Sequence, residues 1–313
     1  MSSHFSRREF LAAFSASLLA TKSHEFSSIA SNYPICVFSK HLHWLSIPEM
    51  AKVVANLGFD GVDLTVRKDG HIAPERVIEE LPVAVSIIRK AGLDVPMMAT
   101  DITNATHPLT EKILKTASNL GIKYYRMGWL DYNANKTIDE TISNYKKQFK
   151  RLEILNKKYQ IHGAYQNHAG THLGASVWDL KEVLAGLDPR WIGCQFDIKH
   201  AVAEGGQSWI NDLASIKSYV RCMDIKDFVW AKQANKWQHQ LVPLGTGMVD
   251  YDLYLSLLKK HHIAGPMSIH YEYPLGGAES GKKQLTVSPD TVLEAVKTDL
   301  VTLQNMLQKA GLK

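Results

Sequence analysis

The stretch Leu57-Gly58-Phe59-Asp60-Gly61-Val62-Asp63 changes its hydrophobic period within a few residues. Before it, residues 48–57 repeat apolar positions at helical spacing; after it, 61–66 form a short apolar run of strand character. Gly58 stands where a helix should stop, because a helix end favours the left-handed conformation that glycine adopts freely. The same punctuation recurs in Ala91-Gly92-Leu93 and Leu120-Gly121-Ile122.

Working outward, the pattern predicts strands at 35–39, 61–66, 94–99, 123–127, 162–166, 191–196, 219–225 and 267–271. Helices are expected at 48–57, 74–91, 109–120, 139–159, 177–186, 209–216, 251–261 and 289–312. Eight strands each followed by a helix predict an α/β fold, a (β/α)₈ TIM barrel forming one domain over residues 31–313. A doubly wound sheet is the alternative. It is weakened because the first strand-to-helix turn, Ser39-Lys40-His41-Leu42-His43-Trp44, has no glycine-rich phosphate cradle.

In such a barrel the C-terminal strand ends converge on one mouth, where active sites lie. Gln166 and His168 close the fifth strand, and Asp197 with His200 follows the sixth. Asp224 and Lys226 share a face of the seventh; His270 and Glu272 share a face of the eighth. Singly, a strand-end Asp is more often a helix cap, a lone His is more often structural, and Lys226 has Asp227 beside it as a partner. Four consecutive strand ends behaving alike point instead to a functional mouth.

Composition narrows the classes further. The chain has 313 residues, 45% hydrophobic and 21% charged, a balance that supports a sizeable core. Its net charge of +5 is spread along the chain with no basic, aromatic-interleaved run, which disfavours a nucleic-acid partner. Cys36, Cys194 and Cys222 lie in apolar runs without CxxC spacing and read as buried free thiols. Residues 1–30 resemble a twin-arginine export signal: Arg7-Arg8 precede the short apolar segment Phe10 to Ala20, which is too short for a membrane span. A periplasmic protein with no integral membrane segment after signal removal is therefore expected. Oligomeric state is left open, a homo-oligomer included.

These residues resemble the xylose-isomerase-like TIM-barrel superfamily of sugar (phosphate) isomerases and epimerases. The marks are Gly58-Phe59-Asp60-Gly61-Val62-Asp63, Gln166-Asn167-His168, Asp197 with His200, Ile225-Lys226-Asp227 and Gly245-Thr246-Gly247-Met248-Val249-Asp250. Members hold one divalent metal with Glu, Asp, His and Glu from the last four strands. This chain keeps Asp197 but has Gln166, Asp224 and His270 at the other positions, with Glu272 two residues beyond His270. The resemblance thus implies Gln166, Asp197, Asp224 and His270 around one divalent ion, with Mn²⁺, Co²⁺ or Zn²⁺ ahead of Mg²⁺ because one ligand is an imidazole. The usual glutamate pair that moves substrate protons is absent. Glu272 is the first choice for the base and His200 the second; Lys226 would polarise the substrate oxygen and His168 would face substrate. A base near neutrality would come from either His, from Lys226 lowered by the metal, or from Glu272 raised by burial.

The loop Pro274-Leu275-Gly276-Gly277-Ala278-Glu279-Ser280-Gly281-Lys282-Lys283 has glycines suited to an anion, but Glu279 lies in the way. Together with the export signal, this favours an unphosphorylated sugar or glycoside. Trp44, Trp129, Trp230 and Trp237 are candidates to stack on sugar faces. The implied chemistry is metal-assisted proton abstraction beside a sugar carbonyl, as in isomerases and epimerases. Exported members with altered metal sites also resemble 3-keto-glycoside lyases, which cleave by β-elimination. Two rival classes are a non-catalytic sugar-binding barrel and an endonuclease-like relative; the second lacks a basic crescent and a larger ligand cluster.

Overall fold

Gly58 adopts φ 91° and ψ 30°, and its amide bonds to the carbonyls of Val54 and Ala55, ending helix Ile47–Leu57. The next strand begins at Gly61, where a Cβ would meet the Asp94 carbonyl at 2.7 Å, so only glycine lets the two strands approach. The helix starts as firmly as it ends: Ser46 and Glu49 form a capping box that spans Pro48 in the first turn.

The computed structural model describes residues 32–313; the export signal expected over 1–30 lies outside them. The parallel barrel consists of β1 (Ile35–Phe38), β2 (Gly61–Thr65), β3 (Asp94–Ala99), β4 (Tyr124–Arg126), β5 (His162–Gln166), β6 (Ile192–Asp197), β7 (Val220–Ile225) and β10 (Met267–Ile269). β1 pairs with both β2 and β10, which closes the ring. Each strand lies where its hydrophobic run placed it, differing by a residue or two at the ends.

Two features were not anticipated. β8 (Asp227–Gln233) and β9 (Lys236–Val242) form an antiparallel hairpin between β7 and the helix Tyr251–Lys260. Its tight turn is Ala234-Asn235, with φ of 45° and 62°. A short helix, Ile198–Gly205, also follows β6 directly, and Asp197 caps it by accepting from the His200 amide. Asp197 is therefore a helix cap as well as a mouth residue.

Met97 of β3, Ala164 of β5 and Cys222 of β7 pack together in the lumen with Tyr124, an apolar layer drawn from alternate strands. All three cysteines are free and buried, as expected. Beyond that layer the lumen turns polar. The register sets Asp197 beside Asp224, Asp224 beside Ser268, and Gln166 beside Gln195, which brings the polar strand ends level. Among the described residues no helix is long and apolar enough to cross a membrane.

Candidate active site at the barrel mouth

Gln166 ends β5 with its side chain buried. Its Oε1 accepts from Arg126 Nη1 at 3.1 Å, which turns the amide nitrogen toward Asp197 Oδ2 at 2.8 Å and Asp224 Oδ2 at 2.7 Å. The amide donates to two carboxylates at once, which an ionised glutamate would be unable to do. Asp224 Oδ1 also accepts from Gln195 Nε2 at 2.6 Å, and His270 Nε2 lies 3.2 Å from the same oxygen. The His270 ring is stacked on Phe38 with centroids 4.3 Å apart.

Lys226 is the bridge to the rim. Its Nζ lies 3.0 Å from Asp197 Oδ2 and 3.0 Å from Glu272 Oε2, and Lys40 reaches the other Glu272 oxygen at 3.4 Å. Burial alone would lower the Lys226 ammonium, but Asp197, Glu272 and Asp224 outweigh it and hold it above its ordinary value. Burial likewise favours a protonated Glu272, yet Lys226, His270 and Lys40 hold that carboxyl well below the usual range. The Glu272 shift runs opposite to the burial-driven rise the sequence suggested, because the carboxylate sits against its counter-charges. Asp227 does not pair with Lys226. Its carboxylate accepts from the amides of Gly245, Gly247 and Val249 at 2.9 to 3.2 Å and anchors the loop after the hairpin.

The two histidines have opposite faces to offer. His200 Nδ1 lies 3.4 Å from the Lys199 ammonium, which can only donate, so the ring proton belongs on Nε2. That Nε2 is buried without a hydrogen-bond partner, 3.6 Å from Asp197. His168 Nδ1 lies 2.8 Å from the Ala169 carbonyl, which can only accept, so its Nε2 keeps the lone pair. Burial and the nearby Lys226 push His168 down to about 3 and His200 well below its ordinary value. Both rings are therefore neutral at pH 7, with centroids 4.0 Å apart, and Trp129 packs 4.4 Å from His168.

The expected metal ligands come together but are not equally available. Asp197 Oδ2 is held by Lys226 and Gln166, and Gln166 presents a nitrogen rather than an oxygen to the carboxylates. A different trio has open donors on two of its members, Asp63 and His270, while both Asp224 oxygens already accept from amides. Asp63, Asp224 and His270 each offer an atom within 4.8 Å of the others. Asp63 Oδ1 and both His270 ring nitrogens lack hydrogen-bond partners, so this group fits a small cation. Asp63 was quoted in the sequence only as part of a family mark; its signal was a carboxylate inside an otherwise apolar strand. Burial, reinforced by Asp224, raises its pKa to about 6. Arg126 was missed altogether, since a lone arginine ending a strand has no signature.

Of the tryptophans, Trp44 is buried with its indole N–H bonded to the His41 carbonyl, so it offers no face to a sugar. Trp230 and Trp237 are exposed on the hairpin. In the glycine loop, Glu279 Oε2 accepts from the Leu275 and Gly277 amides at 3.0 and 2.8 Å, filling the anion cradle from within.

A family model described as xylose isomerase-like TIM barrel matches residues 51–288. A comparison with curated proteins finds no match. Among solved structures, a xylose isomerase domain protein from Planctomyces limnophilus is similar at TM-score 0.65 and 18% identity, covering 90% of this chain and 99% of that one. The 3-keto-D-glucoside 4-epimerase of E. coli gives 0.63 and 12% over 87% and 99% of the two chains. A D-allulose 3-epimerase from Methylomonas sp. gives 0.63 and 14% over 88% and 99%. At these identities the likeness speaks for the fold.

Proposed function

Because this chain belongs to the xylose isomerase-like TIM-barrel family, we propose that it is a sugar isomerase- or epimerase-type enzyme. It takes a proton from the carbon next to the carbonyl of an unphosphorylated sugar or glycoside. The observation that carries this reading is Lys226 Nζ, 3.0 Å from each of Asp197 and Glu272. A carbon acid beside a carbonyl ionises readily only when the developing oxyanion is stabilised. Lys226 supplies that positive charge and Glu272 supplies the carboxylate beside it. Glu272 is a weak base while Lys226 holds it. As the ammonium turns a hydrogen toward the substrate oxygen, that hold relaxes and the carboxylate gains basicity. His200 Nε2–H would donate to a substrate oxygen, and His168 Nε2 would accept from a hydroxyl.

Returning the proton elsewhere gives an isomer or epimer. The second reading, β-elimination from a 3-keto glycoside, begins with the same proton loss; the donor on His200 favours it, since a departing aglycone oxygen needs a proton. One divalent ion belongs to the proposal, Mn²⁺, Co²⁺ or Zn²⁺ ahead of Mg²⁺, with Asp63, Asp224 and His270 to hold it. When bound it would add Lewis acidity to the mouth. Export to the periplasm rests on the leader sequence and is tested by cell fractionation.

The deciding experiment incubates the metal-supplemented protein with ketoses and 3-keto glucosides in D₂O and follows them by NMR. Deuterium in an intact isomer or epimer supports the first reading, and aglycone release supports the second. Sugar binding without either result would make the chain a binding barrel and overturn the proposal.

A further inference from the structure

The part of the mouth formed by β1 to β4 holds two arginines that make no ion pair among the described residues, although Asp101, Asp63 and Glu272 act on Arg67 from farther away. Arg126 is 5% exposed; Nη1 bonds to Gln166, and its Nε is buried without a partner. Arg67, just beyond β2, is half-buried and makes no ion pair among the described residues. The two guanidinium carbons lie 5.4 and 5.6 Å from the centre of the same Phe38 ring, with Arg126 the nearer. Burial, and then Arg126, pushes Arg67 down to about 10. Two cations buried near one ring are unfavourable unless an anion joins them.

A cavity of about 310 Å³ opens at this place, lined by Lys40, His43, Arg67, Lys68, Asp101 and Gly281 among others. Asp69 also lines it, so the wall is not purely basic. The Asp101 carboxylate accepts from the Lys68 amide at 3.2 Å, tying the loop after β3 to the loop after β2, and it also favours the charged form of Arg67 without forming an ion pair. His43 is neutral, burial holding it near 4. Lys40 ties the cavity to the reaction centre, because its Nζ is 3.4 Å from Glu272. The glycine loop is no competitor for an anion, since Glu279 already fills it.

We propose that this cavity binds a carboxylate carried by the substrate, with Arg67 and Lys40 as its donors, so that the enzyme acts on acidic sugars. The planar guanidinium suits a planar carboxylate, and the anion would give Arg67, which lines the cavity, an ion-pair partner. The inference rests on the proposed sugar chemistry, but binding tests it without turnover.

Calorimetric titration of the full chain with D-glucuronate, D-glucose and D-glucose 6-phosphate reads it directly. Glucuronate is expected to bind about tenfold or more tighter than glucose, the range of a charge-assisted hydrogen bond. The ratio should fall toward one in Arg67→Gln, with Lys40→Gln as a second variant if the first does not fold. Equal affinity for glucuronate and glucose, or a preference that survives in both variants, overturns the proposal. Tighter binding of glucose 6-phosphate than of glucuronate overturns the carboxylate assignment. If neutral sugars are turned over without any acid preference, this inference fails and the sugar reading stands; if no sugar binds, both fail.

Discussion

Two parts of one barrel mouth are made from the same kind of strand end, yet their charges are arranged differently. Around β5, β6, β7 and β10, each carboxylate meets a cation or an amide: Asp197 meets Lys226 and Gln166, Asp224 meets His270 and Gln195, and Glu272 meets Lys226 and Lys40. Around β1 to β4, Arg67 and Arg126 lie over Phe38 without a carboxylate partner. The matched part is built to hold reactive groups still, and removing any member leaves a buried charge behind. The unmatched part is suited to a ligand, so its residues should matter more for binding than for folding.

Lys226→Met should break the matched part most severely. Among the described residues Asp197 would lose its one cation at ion-pair distance, since the His200 ring beside it is neutral, and breaking such a buried pair costs about 3–5 kcal/mol. Turnover should fall by roughly 10²-fold or more, as when an oxyanion donor is removed. Denaturant melts and rate measurements check both; a variant as stable as the parent would mean the network is not matched as described.

Acidification tests the same contrast more gently. His43, His71 and His162 have pKa values pushed down to about 4, and His168 to about 3, burial being the main cause in each. Between about pH 6.5 and 4 the unfolded chain binds more protons at these rings than the folded one, so stability falls as pH falls. Asp63 and Asp299, raised to about 6 by burial, act in the opposite sense between their ordinary value and 6, but they are fewer. Thermal melts at pH 7.5 and 5 should show the lower value at pH 5. His162→Gln, whose ring bonds the Arg190 carbonyl away from the reacting groups, should flatten that slope.

Metal content separates the trio Asp63, Asp224 and His270 from the set first suggested by the sequence. About one divalent ion per chain is expected by elemental analysis, lost in Asp224→Ala and weakened in Asp63→Asn and His270→Ala. Asp197→Asn should keep more metal than Asp224→Ala; the reverse order would return Asp197 to the ligand set. The smallest effect belongs to the unmatched part: Arg67→Gln should change stability by less than about 1 kcal/mol, because no ion pair is lost. A larger loss would show that Arg67 supports the fold.

The contrast also explains what was legible in the sequence. The barrel strands were readable because glycines such as Gly58 mark helix ends and short apolar runs follow them. The site residues of β5, β6, β7 and β10 were readable because several chemistry-bearing groups recur at successive strand ends. The hairpin was not read, although Phe228, Trp230 and Lys232 oppose Leu241, His239 and Trp237 on one face in plain alternation. Arg67 and Arg126 were not read because an unpaired charge is a property of distances, which no spacing in the chain expresses. The direction of the Glu272 shift was not legible for the same reason: burial was foreseeable, the 3.0 Å contact with Lys226 was not.

The central claim is that Glu272, beside Lys226, takes the proton next to a sugar carbonyl. Deuterium exchange into a bound ketose or 3-keto glucoside in D₂O, compared between the parent enzyme and Glu272→Gln, tests it most directly. Deuterium is expected at the carbon adjacent to the carbonyl with the parent, falling by about 10²-fold or more in the variant. Exchange at the parental rate in a folded Glu272→Gln protein would contradict it.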